Sequence, residues 1–150
     1  MKLRNLYTLI CGLFLLYSAA HAGEIMTPEN LNGCKIITIE EAKILIDKKQ
    51  ATFFDVRNAI NYGKGHLPKA LSLPFKGKVV KDVSHVPPLN NIDLSKLPEN
   101  KSSNIVFYSH GPTGWKSYFA AAIALETGYK NVLWMRDGYG RWEERFNGKQ

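Results

Sequence analysis

Residues 105–117 read Ile-Val-Phe-Tyr-Ser-His-Gly-Pro-Thr-Gly-Trp-Lys-Ser. An apolar, β-prone run stops at a polar loop containing glycine, and a helical pattern follows at once. This order constrains the fold, because strand, tight loop and helix N-terminus together form one unit of an α/β layer. The same order recurs along the chain. Ala51 to Val56 is apolar and aromatic until Asp55, as in a buried strand with a polar tip. Val132-Leu133-Trp134-Met135 is the last such run, followed by a loop and a short helix around Trp142. Between them, Thr38-Ile39-Glu40-Glu41 is a capping box, and Ile39, Ala42, Leu45 and Ile46 line one helical face. Trp115 to Glu126 reads as a helix that ends at Thr127-Gly128. Phe119, Ala122, Ile123 and Glu126 fall on one side of it, with Tyr118, Ala121 and Leu125 beside them. Ile36-Ile37 and Ala70 to Leu73 are short strand candidates. Residues 57–69 read as a loop with a short helical turn, and residues 75–104 give no clear period beyond one helical turn. Apolar strands alternating with helices predict a parallel sheet covered on both faces. Ligands of such sheets sit at the carboxyl ends of the strands, where Asp55 and Ser109 fall.

The first residues have the pattern of a targeting segment. Met1 to Asn5 is a short basic stretch, Leu6 to Leu16 is apolar apart from Thr8 and Gly12, and Ala20-His21-Ala22 fits the small-x-small cleavage rule. The apolar core is shorter than the ~20 residues a spanning helix needs. A signal peptide over 1–22 and a mature start at Gly23 are therefore expected, with the protein periplasmic or secreted and no membrane contact after cleavage. Removing residues 1–22 from the 150 leaves 128, enough for a single domain that buries about two-thirds of its unfolded surface. We divide that domain into an arm and first strand over 23–38, a main unit over 39–145 and a tail over 146–150.

Losing Lys2 and Arg4 lowers the net charge from +7 to +5. The charges are scattered and no nucleic-acid motif is present, so the balance supports a weak preference for anionic ligands and no nucleic-acid role. Cys34 is the one cysteine left, so no disulfide forms within the mature chain. It reads as a passive residue at a strand edge, a reactive thiol or an intermolecular partner. His66, His85 and His110 are too dispersed to hold a metal, and nothing calls for a cofactor.

Three stretches together resemble the rhodanese-like (sulfurtransferase) family. The first runs Asp55-Val56-Arg57, then Tyr62, Gly65-His66-Leu67-Pro68-Lys69-Ala70 and Leu73-Pro74. The second is the loop 105–117 with the helix behind it. The third is Val132 to Trp142 with Asp137-Gly138, where Asp137 replaces a usual glycine. The resemblance implies a small α/β domain, rhodanese-like, with a central parallel sheet of about five strands and helices on both faces. It also implies a mechanism, in which a loop cysteine takes sulfane sulfur as a persulfide and passes it to a nucleophile. Here that position holds Ser109. The loop is also similar to the CXXCW-motif proteins associated with periplasmic quinoprotein catabolism, whose loops run Gly-Pro-x-Cys-Trp-x-Ser-Tyr. Gly114 stands where their second cysteine falls.

A hydroxyl is far less acidic than a thiol, and a helix dipole contributes only about 0.3–1 kcal/mol, too little to ionise it. Oxygen also cannot form the required S–S bond. The expected function is thus a catalytically degenerate domain that binds a small anion or a sulfur-carrying partner protein. The expected anion cradle is the loop of Ser109, His110, Gly111, Thr113, Gly114, Trp115, Lys116 and Ser117, with backbone N–H groups pointing into one space. Asp55, Arg57 and His66 read as structural. Two alternatives remain: a sulfurtransferase using Cys34 or a partner's thiol, and phosphoester hydrolysis, which in related phosphatases needs a loop cysteine and arginine that this loop lacks.

Overall fold

The computed structural model describes residues 23–147, so the expected leader lies outside the described residues. Five parallel strands form one sheet in the order β1-β5-β4-β2-β3. They are β1 (Cys34–Ile36), β2 (Thr52–Asp55), β3 (Leu71–Ser72), β4 (Asn104–Tyr108) and β5 (Asn131–Trp134). Four helices join them: α1 (Ile39–Asp47), α2 (Ala59–Lys64), α3 (Trp115–Glu126) and α4 (Gly138–Trp142).

The sheet is buried on both sides because alternate residues of its apolar strands feed two separate cores. Phe54, Ile105, Phe107, Val132 and Trp134 face α3 and the segment carrying Leu73, Phe75, Ile92 and Leu97. Phe53, Val106, Tyr108, Leu133 and Met135 face α1, α4, Leu67 and Ala70. Burying one such side chain stabilises the fold by about 1.5–3 kcal/mol.

Local chemistry sets the helix ends. The Thr38 hydroxyl accepts from the Glu41 amide at 3.1 Å, while the Glu41 carboxylate accepts from the Thr38 amide at 2.9 Å. This is the expected capping box, and α1 begins where it predicts. At the end of α3, Gly128 takes φ +92°. Its N–H donates to Leu125 O and that of Tyr129 to Ala124 O, a Schellman pair that satisfies two end carbonyls.

Four expectations are corrected. Ala122 and Leu125 are only half-buried and Glu126 is exposed, because α3 packs through Trp115, Tyr118, Phe119, Ala121 and Ala124 instead. β1 runs Cys34–Ile36 rather than Ile36-Ile37, still within the stretch 23–38 assigned to the arm and first strand. Residues 146 and 147 belong to a π-helical turn (Glu143–Asn147), which Phe146 anchors by packing on Trp142 at 4.5 Å. The irregular stretch 75–104 holds two short 3-10 turns, Leu89–Asn91 and Leu94–Lys96.

Candidate functional site

β2 and β4 are neighbours, with Asp55 opposite Tyr108. The chain leaving β2 runs to β3 at one edge, and the chain leaving β4 runs to β5 on the other side. The connections diverge between these two strands, which opens a crevice at their carboxyl ends.

Beneath the crevice lies a buried ion pair. Asp55 is fully buried and Arg57 is 7% exposed. Arg57 Nη2 lies 2.6 Å from Asp55 Oδ2, Arg57 Nε contacts both carboxylate oxygens at 3.0 and 3.1 Å, and the Arg57 amide donates to Oδ1 at 3.0 Å. Arg57 Nη2 also donates to Gly65 O at 2.6 Å, and the guanidinium lies 4.3 Å from the centre of the Tyr139 ring. Burial opposes the Arg57 charge, but the hydrogen bonds and charge of Asp55 more than offset it and raise its pKa above the ordinary value. The pair thus locks the chain after β2 onto the sheet end. His66 has a local role as well. Its Nδ1 lies 2.9 Å from Tyr62 O, and its ring stacks on Tyr62 at 3.8 Å.

The loop after β4 is held from behind by α4. The Tyr139 and Gly140 amides donate to the Ser109 and His110 carbonyls at 2.8 and 2.9 Å. Gly138 makes this contact feasible, since a Cβ there would fall 2.5 Å from the Gly111 nitrogen and the His110 carbonyl. Ser109 is 4% exposed and turns inward. Its Oγ lies 3.2 Å from Gly114 O and 3.1 Å from Ser117 Oγ. Ser117 Oγ donates to Gly114 O at 2.8 Å and accepts from Trp134 Nε1 at 3.0 Å. The Ser109 proton is therefore spent on one of two internal acceptors.

The backbone of the loop also differs from expectation. The Gly114, Trp115 and Ser117 amides donate to the Gly111, Thr113 and Gly114 carbonyls at 2.8, 3.0 and 3.1 Å. Because these three N–H groups close tight turns, they do not point outward into a common cradle.

The loop lines a cavity of about 300 Å³. Ser109, His110, Thr113, Gly114, Trp115 and Lys116 come from the loop, Arg57, Asn58 and Asn61 from the chain after β2, and Val79 and Lys81 from the chain after β3. Of the residues expected to form the cradle, Gly111 and Ser117 are outside the lining. Gly111 is covered by Gly138, and Ser117 lies under the loop. The lining holds Arg57, Lys81 and Lys116 and no carboxylate, with Arg57 paired to Asp55 beneath it. Among the described residues, no group of three His, Cys, Asp or Glu side chains is placed to hold a metal ion.

Asn58, Asn61, Val79 and Lys81 escaped the sequence reading, although 56–81 carries no Asp or Glu. The docking of the arm was also missed. The Thr27 amide and hydroxyl both donate to Pro112 O, at 2.9 and 2.6 Å, and Trp115 Nε1 donates to Ile25 O at 2.9 Å. Arg136 grips the arm through Thr27 Oγ1, Thr27 O and Pro28 O at 3.1, 2.8 and 2.9 Å.

Cys34 is distant from all of this. It pairs with Val132, which pairs with Ile105. Ser109 is four residues further along and two strands over, so about 16 Å separates the two at ~3.3 Å per residue and ~4.8 Å per strand. Burial pushes the Cys34 thiol up to about 12.

Comparisons with known proteins agree with this architecture. The chain is similar to a sulfurtransferase of Allochromatium vinosum, with 29% identity over 98 residues covering 65% of this chain and 77% of the relative. It is 28% identical over 102 residues to a tRNA uridine(34) hydroxylase of Photorhabdus laumondii, spanning 66% of this chain and 25% of the hydroxylase. Among solved structures, the BH2092 protein of Bacillus halodurans superposes with a TM-score of 0.59 at 26% identity, covering 77% of this chain and 74% of that one. The human single-domain sulfurtransferase TSTD1 shares the fold, with a TM-score of 0.55 at 21% identity over 75% of this chain and 97% of that one. Residues 38–145 match the family model of the rhodanese-like domain, and on that match the chain belongs to the rhodanese-like family.

Proposed function

We propose that this rhodanese-like protein is an exported, catalytically degenerate member that binds an anion, free or carried by a partner, in the cavity beside loop 109–117. The observation that carries the reading is Ser109. It stands where the resemblance places the nucleophilic cysteine, and its hydroxyl proton is committed inside the loop. The charge of the cavity supports binding, since Lys81 and Lys116 line it beside Arg57, whose charge Asp55 pairs from beneath, and no carboxylate joins the lining. His110 does not serve as a base in this reading; it is exposed, with its ring against Gly140. The rival in which Cys34 carries the sulfur fits less well, because burial pushes the thiol up to about 12 and the strand register places it two strands over, about 16 Å from Ser109. Affiliation with the CXXCW-motif subgroup and a periplasmic or secreted location are parts of the same proposal, resting on the loop and on residues 1–22.

The test is thiosulfate:cyanide sulfurtransferase activity of the processed chain beside Ser109→Cys and Cys34→Ala, with thiosulfate affinity by calorimetry. The expected result is an inactive parent that binds thiosulfate, and a gain of activity in Ser109→Cys. An active parent silenced by Cys34→Ala would overturn the reading. N-terminal sequencing of the exported product checks the start at Gly23.

A further inference from the structure

Four lysines lie on the segments that line this cavity. Asn58 and Asn61 line it, and Lys64 ends the same helix, α2. Val79 and Lys81 line it from a second side, with Lys78 just before them in sequence. Lys116 lines a third side. Lys64, Lys78 and Lys81 are exposed. Among the described residues, none of these four lysines lies within ion-pair distance of a carboxylate. Asp82, next to Lys81, is the one acid on the segment 76–82, and it accepts from the amide and hydroxyl of Ser84.

Apolar groups interleave with the cations. None of the six residues of α2 is buried, and Ile60 points outward at 70% exposure. A helix that packs nothing into the core serves what it presents. Val80, Val83 and Val86 are exposed along the segment that follows β3.

We infer that this face docks an acidic, aliphatic-containing segment of a partner protein, which places an anionic group in the cavity. This deepens the binding role proposed above and rests on it. Charge complementarity selects the partner, because Lys64, Lys78, Lys81 and Lys116 on the segments around one opening outnumber Asp82 and raise the local concentration of acidic chains. A concave site also asks for a protruding group, which a flat anionic bilayer does not offer. Single-stranded nucleic acid asks for exposed aromatic platforms. Here Trp115 is buried, and Tyr62 is occupied by His66 and by its hydrogen bond to Ala70 O.

The experiment is fluorescence anisotropy of the processed chain with a labelled peptide of alternating Glu and Leu, and with its Gln-for-Glu counterpart. K64E/K78E reverses two exposed charges outside the cavity lining. K48E/K130E reverses two exposed charges near the amino ends of the strands. Expected are binding of the Glu peptide and a loss of roughly tenfold or more for the Gln peptide and for K64E/K78E. Affinity should also fall as salt rises from about 0.01 M to about 1 M, which shortens the Debye length from about 30 Å to about 3 Å. K48E/K130E should stay close to wild type. Wild type that ignores the Glu peptide, equal binding of both peptides, or an equal loss in K48E/K130E overturns the inference. So does preferential binding to phosphatidylcholine vesicles carrying about one-third phosphatidylglycerol, lost in K64E/K78E. Thiosulfate affinity separates the two readings. A chain that binds thiosulfate but not the peptide defeats only this inference; one that binds the peptide but not thiosulfate defeats the small-anion reading of the cavity.

Discussion

Ser109 and Gly114 depend on each other. A Cβ built on Gly114 would lie 1.8 Å from Ser109 Oγ and 2.7 Å from Gly111 O. The inward serine thus occupies the volume that any larger residue at 114 needs, which explains physically why a glycine stands where the similar loops carry a second cysteine. Gly114→Ala should cost about 1–3 kcal/mol, the usual cost of overpacking. Combining it with Ser109→Gly should recover part of that, giving a coupling of about 0.5 kcal/mol or more in a double-mutant cycle by urea denaturation. Strict additivity would show that the two sites do not share this space. The Asp55–Arg57 pair is the other residue-scale commitment. Asp55→Asn strands a buried guanidinium, and breaking such a pair costs about 3–5 kcal/mol. A midpoint close to wild type would mean that the pair is dispensable. The sequence reading offered a carboxylate partner for Arg57, and Asp55 supplies it, whereas the inward turn of Ser109 was not legible, since nothing in the residue's identity fixes its rotamer.

Elements whose ends are set by neighbours in sequence were readable, and elements set by distant partners were not. The Thr38 capping box and the Thr127-Gly128 stop carry their own hydrogen-bonding logic within a few residues. Thr38→Ala should accordingly cost about 1 kcal/mol, read from the shift of the unfolding midpoint. The stretch 73–97 behaves differently. Leu73, Phe75, Ile92 and Leu97 are buried against the sheet, yet they follow no helical or strand period, so the burial is invisible in the pattern. The arm is the extreme case, since Thr27 meets Arg136 across 109 positions. Arg136→Ala should free the arm, seen as rapid proteolysis near Thr27 while residues from Cys34 onward stay protected. A protected arm in that variant would show that the Pro112 and Trp115 contacts suffice alone.

At the scale of the molecule, the centre of the sheet was legible because β2, β4 and β5 are buried on both faces and read as apolar runs. The site was only half legible, because a crevice at the carboxyl ends of several strands collects side chains from segments far apart in sequence. Asn58, Asn61, Val79 and Lys81 join the loop only after the sheet has assembled. Burial of neutral acids on that sheet also sets how stability responds to alkali. Burial raises the Cys34 thiol from 9.0 to about 12, and raises the Tyr108 phenol with help from the Asp55 charge. Tyr139 is raised too, by burial and then by Glu143. The sign follows from which state holds the protons. Below about pH 9 all three groups are protonated in both states and contribute no pH dependence. Above it the unfolded chain releases protons that the folded chain keeps, so the unfolded state is favoured as pH rises. For Cys34 alone the loss runs from pH 9.0 toward 12, at up to about 1.4 kcal/mol per pH unit. Urea unfolding from pH 8 to pH 11 should therefore show falling stability, with a shallower fall in Cys34→Ala. Parallel curves for the two proteins would mean that the folded state ionises Cys34 as readily as the unfolded chain. The same raised pKa should make Cys34 alkylation by iodoacetamide at pH 8 more than about a hundredfold slower than that of a free thiol of pKa ~8.5.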